Sequence, residues 1–213
     1  MNHVLEIVSK TRLVAIIRLD DLSQAVQLSK ALLAGGVVAQ EFTLSNPNAL
    51  TALSEVKAAL GEFSNGQAAL GLGSARNVDE AHAAIKAGAQ FVVTPITKLD
   101  VIEVCKKAGV PIMPGAFTPT EIAMAHDAGA DVVKVFPART LGAGYIKDVL
   151  APMPYLKLMP TGGVDLENMA SFFKAGAVSV GVGGNLLDKR AIEAGDWEKV
   201  STIARQYAEA ARL

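Results

Sequence analysis

A chain of 213 residues, 51% of them hydrophobic and with a net charge of −1, can bury one large core and has the size of many single-domain barrels. The near-neutral balance argues against a nucleic acid or other polyanion as partner. The single cysteine, Cys105, excludes an internal disulfide and fits a reducing compartment, and no uninterrupted apolar run is long enough to span a bilayer.

The chain starts with an amphipathic helix over 2–10, in which Val4, Leu5 and Val8 share a side. This stretch has no long apolar run and no small-residue cleavage site, so no signal peptide is expected and the protein reads as soluble and cytoplasmic. A buried strand follows at 12–18 (RLVAIIR), then a helix that Asp20 and Asp21 open and Gly35-Gly36 stops. The second strand is 37–44 (VVAQEFTL), followed by a loop with Asn46-Pro47 and a helix to about residue 60. The third strand is 68–73, with a helix over 78–87. The fourth is 90–94, stopped by Pro95, with a helix to about residue 108. The fifth, short strand is 110–114, with a helix over 118–128. The sixth is 131–137, with a helix around 145–150. The seventh, 156–159, ends in Pro160-Thr161-Gly162-Gly163 and precedes a helix over 165–175. The eighth, 178–182, ends in Gly183-Gly184, and a helical region runs from about residue 188 to the end.

This strand–helix alternation recurs about eight times with short loops, which predicts an α/β fold with parallel strands closed into a (β/α)8 TIM barrel, carrying an N-terminal helix, as one domain over 1–213. Four repeats end alike, at Ala34–Val37, Ala87–Gln90, Ala128–Asp131 and Ala175–Val178, each with a glycine that stops a helix about two residues before the next strand. The other architecture is an open doubly wound sheet, but no G-x-G-x-x-G follows the first strand.

The sixth strand, Asp131-Val-Val-Lys134-Val-Phe-Pro137, puts a lysine among apolar neighbours. Alternation places Val132, Lys134 and Phe136 on one face. A desolvated ammonium gives up its proton, and the neutral amine is the form that attacks a ketone to make a Schiff base. The other reading is a strand-end lysine that snorkels to water. In a barrel the site lies at the C-terminal strand ends, which carry Arg18, Glu41, Thr43, Ser45, Ser74, Thr94, Lys134 and Thr161. Glu41, among Ala39, Phe42 and Leu44, is expected to be partly desolvated and able to accept and return protons; alternatively it only salt-bridges Lys134 or Arg18. Arg18 suits a substrate carboxylate, or is an ordinary rim ion pair. The pairs Gly162-Gly163 and Gly183-Gly184 follow the last two strands, where bare backbone N–H groups bind phosphate in many barrels. His3, His82 and His126 have no metal-ligand spacing.

These motifs resemble the 2-keto-3-deoxy-6-phosphogluconate (KDPG) / 4-hydroxy-2-oxoglutarate aldolases, a family of class I pyruvate aldolases. The resemblance rests on AIIR at 15–18, EFTL at 41–44, VTP at 93–95, MPGAFTPTE at 113–121, VKVFPA at 133–138, PTGGV at 160–164 and VGVGG at 180–184. It implies that Lys134 forms the Schiff base, that Glu41 moves protons by way of a water and that Pro95 lines the pyruvate pocket. It further implies that Thr161 contacts the sugar-derived part of the substrate and that Gly162, Gly163, Gly183 and Gly184 hold its phosphate. A homotrimer acting on a phosphorylated 2-keto acid, with no metal, is also implied; no cofactor is expected, and the charge balance and hydropathy give no nucleic acid and no membrane as partner.

Several positions depart from the family pattern. Ser45 stands where some members carry an arginine for the pyruvate carboxylate, a task that Arg18 can take over. The third strand ends GLGSA at 71–75, so Ser74 keeps only the hydroxyl of the usual threonine, and Arg76 follows. Arg139 replaces a residue that is often acidic, and Asn185 a frequent serine. Besides KDPG cleavage, the residues admit the galactonate epimer or 4-hydroxy-2-oxoglutarate as substrate. They also admit an isomerase or epimerase that uses Glu41 as base, and a non-catalytic sugar-phosphate sensor.

Overall fold

Aliphatic runs set between helix-ending glycines become short parallel strands, and the computed structural model describes them over residues 2–212. Strands β1 (Leu13–Ile17), β2 (Ala39–Thr43), β3 (Ala69–Gly73), β4 (Val92–Val93) and β5 (Ile112–Met113) lie in one parallel sheet. A later strand, β9 (Val180–Val182), pairs with the free side of β1. A second parallel sheet holds β6 (Gly115–Ala116), β7 (Val133–Val135) and β8 (Leu158–Pro160) in that order. The fifth strand expected over 110–114 is therefore only the short β5, and β6, just beyond it, is a further strand that the sequence reading did not include. Pro114 has no N–H to give to a ladder, and the chain passes there from the edge of one sheet to the edge of the other. Across the opposite seam, Val178 N–H donates to Leu158 (3.0 Å) and a single bridge joins Thr161 to Gly181. The result is an α/β fold whose parallel strands curl around an interior.

Helices α1 (His3–Thr11), α2 (Ala25–Ala34), α3 (Ala49–Ala59), α4 (Val78–Lys86), α5 (Leu99–Lys107) and α6 (Pro119–Asp127) alternate with the strands. Helix α7 (Ala138–Leu150) starts directly after Pro137, earlier than the sequence suggests, and Gly142 breaks it. Helix α8 covers Met169–Lys174, and the last helical region divides at Gly195 into α9 (Lys189–Glu193) and α10 (Trp197–Arg212). The repeated glycines 36, 88, 129 and 176 all have φ between +86° and +104°, the left-handed turn that closes a helix. The strands after them start later than expected, at Ala39, Val92, Val133 and Val180.

Alternation along the strands sorts side chains into two cores. Val133, Val135, Phe42, Leu70, Leu72 and Ile112 pack outward against the helices. Val14, Ala39, Ala69, Phe91, Val93, Met113, Val132 and Met159 fill the interior, together with Val4, Ile7 and Val8 of α1, which cover one end of it. Cys105 is buried in the outer core, where burial and the Asp131 charge push its thiol up to about 11. No helix among the described residues is long and apolar enough to cross a membrane.

Candidate active site

Lys134 sits in the middle of β7, between Gly115 of β6 and Met159 of β8. Its side chain faces the interior, is 4% exposed, and carries Nζ 5.0 Å from the centre of the Phe136 ring. The snorkelling reading is thereby excluded. Burial lowers the proton affinity of Lys134; the nearby Glu41 charge opposes this and the Arg18 charge adds to it.

Glu41 faces the same interior from β2, 1% exposed, and neither of its carboxylate oxygens has a hydrogen-bond partner. Among the described residues it makes no salt bridge, so the reading as an ion pair with Lys134 or Arg18 fails. Burial pushes its carboxyl up to about 7, even though the Lys134 and Arg18 charges pull it down. The carboxylate occupies the space that a side chain on Gly73 would fill: a Cβ there would stand 2.5 Å from Oε1. Thr161 relies on the same device, since a Cβ on Gly181 would stand 2.4 Å from its Oγ1. Interior glycines on neighbouring strands thus make room for the polar groups of the site.

A cavity of about 500 Å³ opens above Lys134 at the C-terminal strand ends. Arg18, Thr161, Gly162, Gly163, Gly183 and Gly184 line it, as the sequence suggests. Gly162 and Gly163 have φ of +85° and +92°, which only glycine adopts without strain. Their carbonyls are tied down. Arg139 N–H donates to Gly162 (2.8 Å), and the Asn168 amide donates to Gly163 (2.8 Å). The N–H groups of Gly162, Gly163, Val164, Gly184 and Asn185 have no protein acceptor among the described residues and are left to bind an anion.

Other candidates lie elsewhere. Ser45 is exposed and its hydroxyl is 2.8 Å from that of Thr43. Ser74 directly follows β3 in a left-handed conformation (φ +66°), and neither it nor Pro95 lines the cavity. The Pro95 carbonyl packs against Gly115, and Thr94 Oγ1 donates to Ile96 O (2.5 Å) and accepts from Gly115 N–H (3.2 Å), a structural knot. Arg76 pairs with Glu80 at the surface. Two residues noted only as departures, Arg139 and Asn185, do line the cavity, along with Phe136 and Pro137. Their signal was position: Arg139 falls two residues after the expected lysine strand, and Asn185 directly follows a glycine pair.

The family model for KDPG and KHG aldolase matches residues 4–203. The 2-dehydro-3-deoxy-phosphogluconate aldolase of Treponema pallidum is 33% identical over 207 residues, covering 97% of this chain and 96% of its own. A KDPG aldolase from Legionella pneumophila, solved with pyruvate captured as a covalent carbinolamine, superposes with a TM-score of 0.85 at 25% identity, over 94% of this chain and 96% of that one. A native KDPGal structure gives a TM-score of 0.83 at 28% identity, over 94% and 96%. A buried lysine on the matched strand, an unpaired interior carboxylate and a match along nearly the whole sequence lead to one assignment: the chain belongs to the KDPG and KHG aldolase family.

Proposed function

We propose that this protein is a class I aldolase that cleaves KDPG to pyruvate and glyceraldehyde 3-phosphate, and that it also accepts 4-hydroxy-2-oxoglutarate, yielding pyruvate and glyoxylate. The observation that carries this reading is the interior lysine with lowered proton affinity facing a carboxylate that makes no ion pair. Neutral Lys134 adds to the C2 ketone, and the carbinolamine loses water to give a protonated imine. Glu41, directly or through a water, takes the proton of the C4 hydroxyl. The C3–C4 electron pair moves toward the imine nitrogen, releasing the aldehyde and leaving an enamine. Protonation of the enamine at C3 and hydrolysis give pyruvate and restore the amine. A carboxyl with a pKa of about 7 is populated in both forms near neutrality, as this return of the proton requires. The imine is the electron sink, so the scheme needs no metal and no cofactor. Arg18 takes the pyruvate carboxylate, Thr161 the hydroxylated part of the substrate, and the glycine pairs at 162–163 and 183–184 its phosphate. Ser45, Ser74 and Pro95 serve as support around the strand ends rather than as contacts in the cavity.

The KDPGal neighbour favours one second reading, the galactonate epimer as substrate. Assay of both epimers separates the two. We further propose one domain over 1–213 and a complete (β/α)8 barrel. The Pro114 crossing and the Thr161–Gly181 bridge support its two seams. A homotrimer is supported by Ile96, Leu99 and Phe117, exposed around the Thr97–Gly115 hydrogen bond (2.9 Å). A cytoplasmic location is supported by the single buried thiol.

Borohydride reduction with saturating pyruvate tests the central claim. Mass mapping is expected to find the reduced pyruvyl adduct on Lys134. A folded protein that gives no adduct would remove the Schiff-base mechanism and leave an isomerase or a binding protein. A second test concerns Gly73. Its φ is not in the left-handed region, so Gly73→Ala strains no backbone and acts only by pushing the Glu41 carboxylate aside. A loss of turnover of about 100-fold is expected, with KM little changed. Unchanged turnover would mean that the position of Glu41 is not critical.

A further inference from the structure

The residues lining the cavity include three cationic side chains, Arg18, Lys134 and Arg139, and no carboxylate. Neighbouring strands run β7, β8, β9, β1, so their C-terminal ends present in turn Arg139, the first glycine pair, the second glycine pair and Arg18. The two arginines therefore bracket the glycine loops from opposite sides. They are not equivalent. The Arg18 charge reaches both Lys134 and Glu41, while Arg139 is not among the groups that shift either.

Arg139 is held in place by its backbone and its stem. Its N–H donates to the Gly162 carbonyl, and Ala138 N–H donates to Thr161 (both 2.8 Å), which spends the first N–H groups of α7 on the β8 loop. Its stem lies on Gly163, where a Cβ would stand 2.4 Å from Arg139 Cβ and 3.4 Å from Nε. The guanidinium has no carboxylate partner among the described residues.

We propose that Arg139 is a specificity residue that binds the terminal phosphate of the substrate from the β7 side, adding a two-pronged cation to the backbone N–H groups of the glycine loops. The inference rests on the aldolase reading and deepens it. Arg18 fixes the carboxylate end near Lys134, Arg139 the far end, and substrates with a distal phosphate gain over those without one.

Arg139→Gln and Arg139→Lys in the full chain test this. The ratio of kcat/KM for KDPG to that for 4-hydroxy-2-oxoglutarate is expected to fall about tenfold in Arg139→Gln, through KM for KDPG. Arg139→Lys is expected to fall less, because it keeps the charge and loses the fork. Inorganic phosphate, titrated against each protein by thermal shift, gives an arm independent of turnover: stabilisation by phosphate should weaken in the same order. Equal phosphate binding and an unchanged ratio in Arg139→Gln would overturn the proposal. Pyruvate trapping on the wild type reads the aldolase chemistry separately, so its failure would remove that reading while the phosphate titration still decides for or against Arg139.

Discussion

Replacing Lys134 by methionine is expected to lower KDPG cleavage by on the order of 10⁴-fold or more, and at the same time to raise the melting temperature. The activity loss follows because no neighbouring side chain can supply the amine: the other two cationic side chains of the cavity, Arg18 and Arg139, are guanidinium groups and carry no primary amine. The stability gain follows from burial. An ordinary lysine holds its proton to about pH 10.4 in the unfolded chain, whereas in the folded chain desolvation drives the proton off earlier. Folding therefore works against that proton at neutral pH. Methionine has a similar length, is unbranched, and is at home beside Met159 and Val132. Glu41 is not stranded as a buried charge, because without the lysine it keeps its own proton more firmly. A gain of about 1–3 kcal/mol is expected. Steady-state kinetics and a thermal melt on the same sample check both parts. Residual turnover within tenfold of wild type would mean that Lys134 forms no covalent bond to substrate.

Glu41→Gln is expected to cost about 10²- to 10³-fold in turnover, the usual worth of a positioned acid–base group, while pyruvate trapping on Lys134 slows but persists. Its stability effect depends on pH with a definite sign. The folded carboxyl has a pKa of about 7 against an ordinary 4.5, so the folded state keeps this proton longer than the unfolded chain. Wild-type stability therefore falls as pH rises from 4.5 to 7, and the glutamine variant does not share the fall. The advantage of Glu41→Gln should be near nil at pH 4.5 and level off above pH 7 at on the order of 3 kcal/mol. Denaturant unfolding at pH 5 and pH 8 measures it. A difference independent of pH would show that Glu41 is not held in a desolvated site.

What could be read from the sequence was what depends on local periodicity and on single residue types. The AG-ended helices, the alternation of Val132, Lys134 and Val133, Val135 between two faces, and the glycine pairs were all legible. Pairing details were not. The division of β5 from β6 depends on where Pro114 falls relative to the ladder partners of β4 and β7, which lie 20 or so residues away on either side. The interior glycines at 73 and 181 read as ordinary strand glycines, because their role is to stand opposite Glu41 and Thr161 on other strands. The environment of Glu41 was legible as desolvated, but not as free of an ion pair, since that depends on side-chain distances across the interior. Arg139 illustrates the reverse case: its position was plain, and its purpose appeared only once strand order set it beside the loop after β8.

Helix α1 gives the interior a floor, with Val4, Ile7 and Val8 in the same interior cluster as Ala39 of β2 and Ala69 of β3. The reaction chamber is then a cup, not a tunnel, and a cup empties from the top. For the proposed reaction, the fragment under the rim, carrying the phosphate, leaves first. The three-carbon fragment tethered to the lysine below follows only after water has come in by the same doorway to release it.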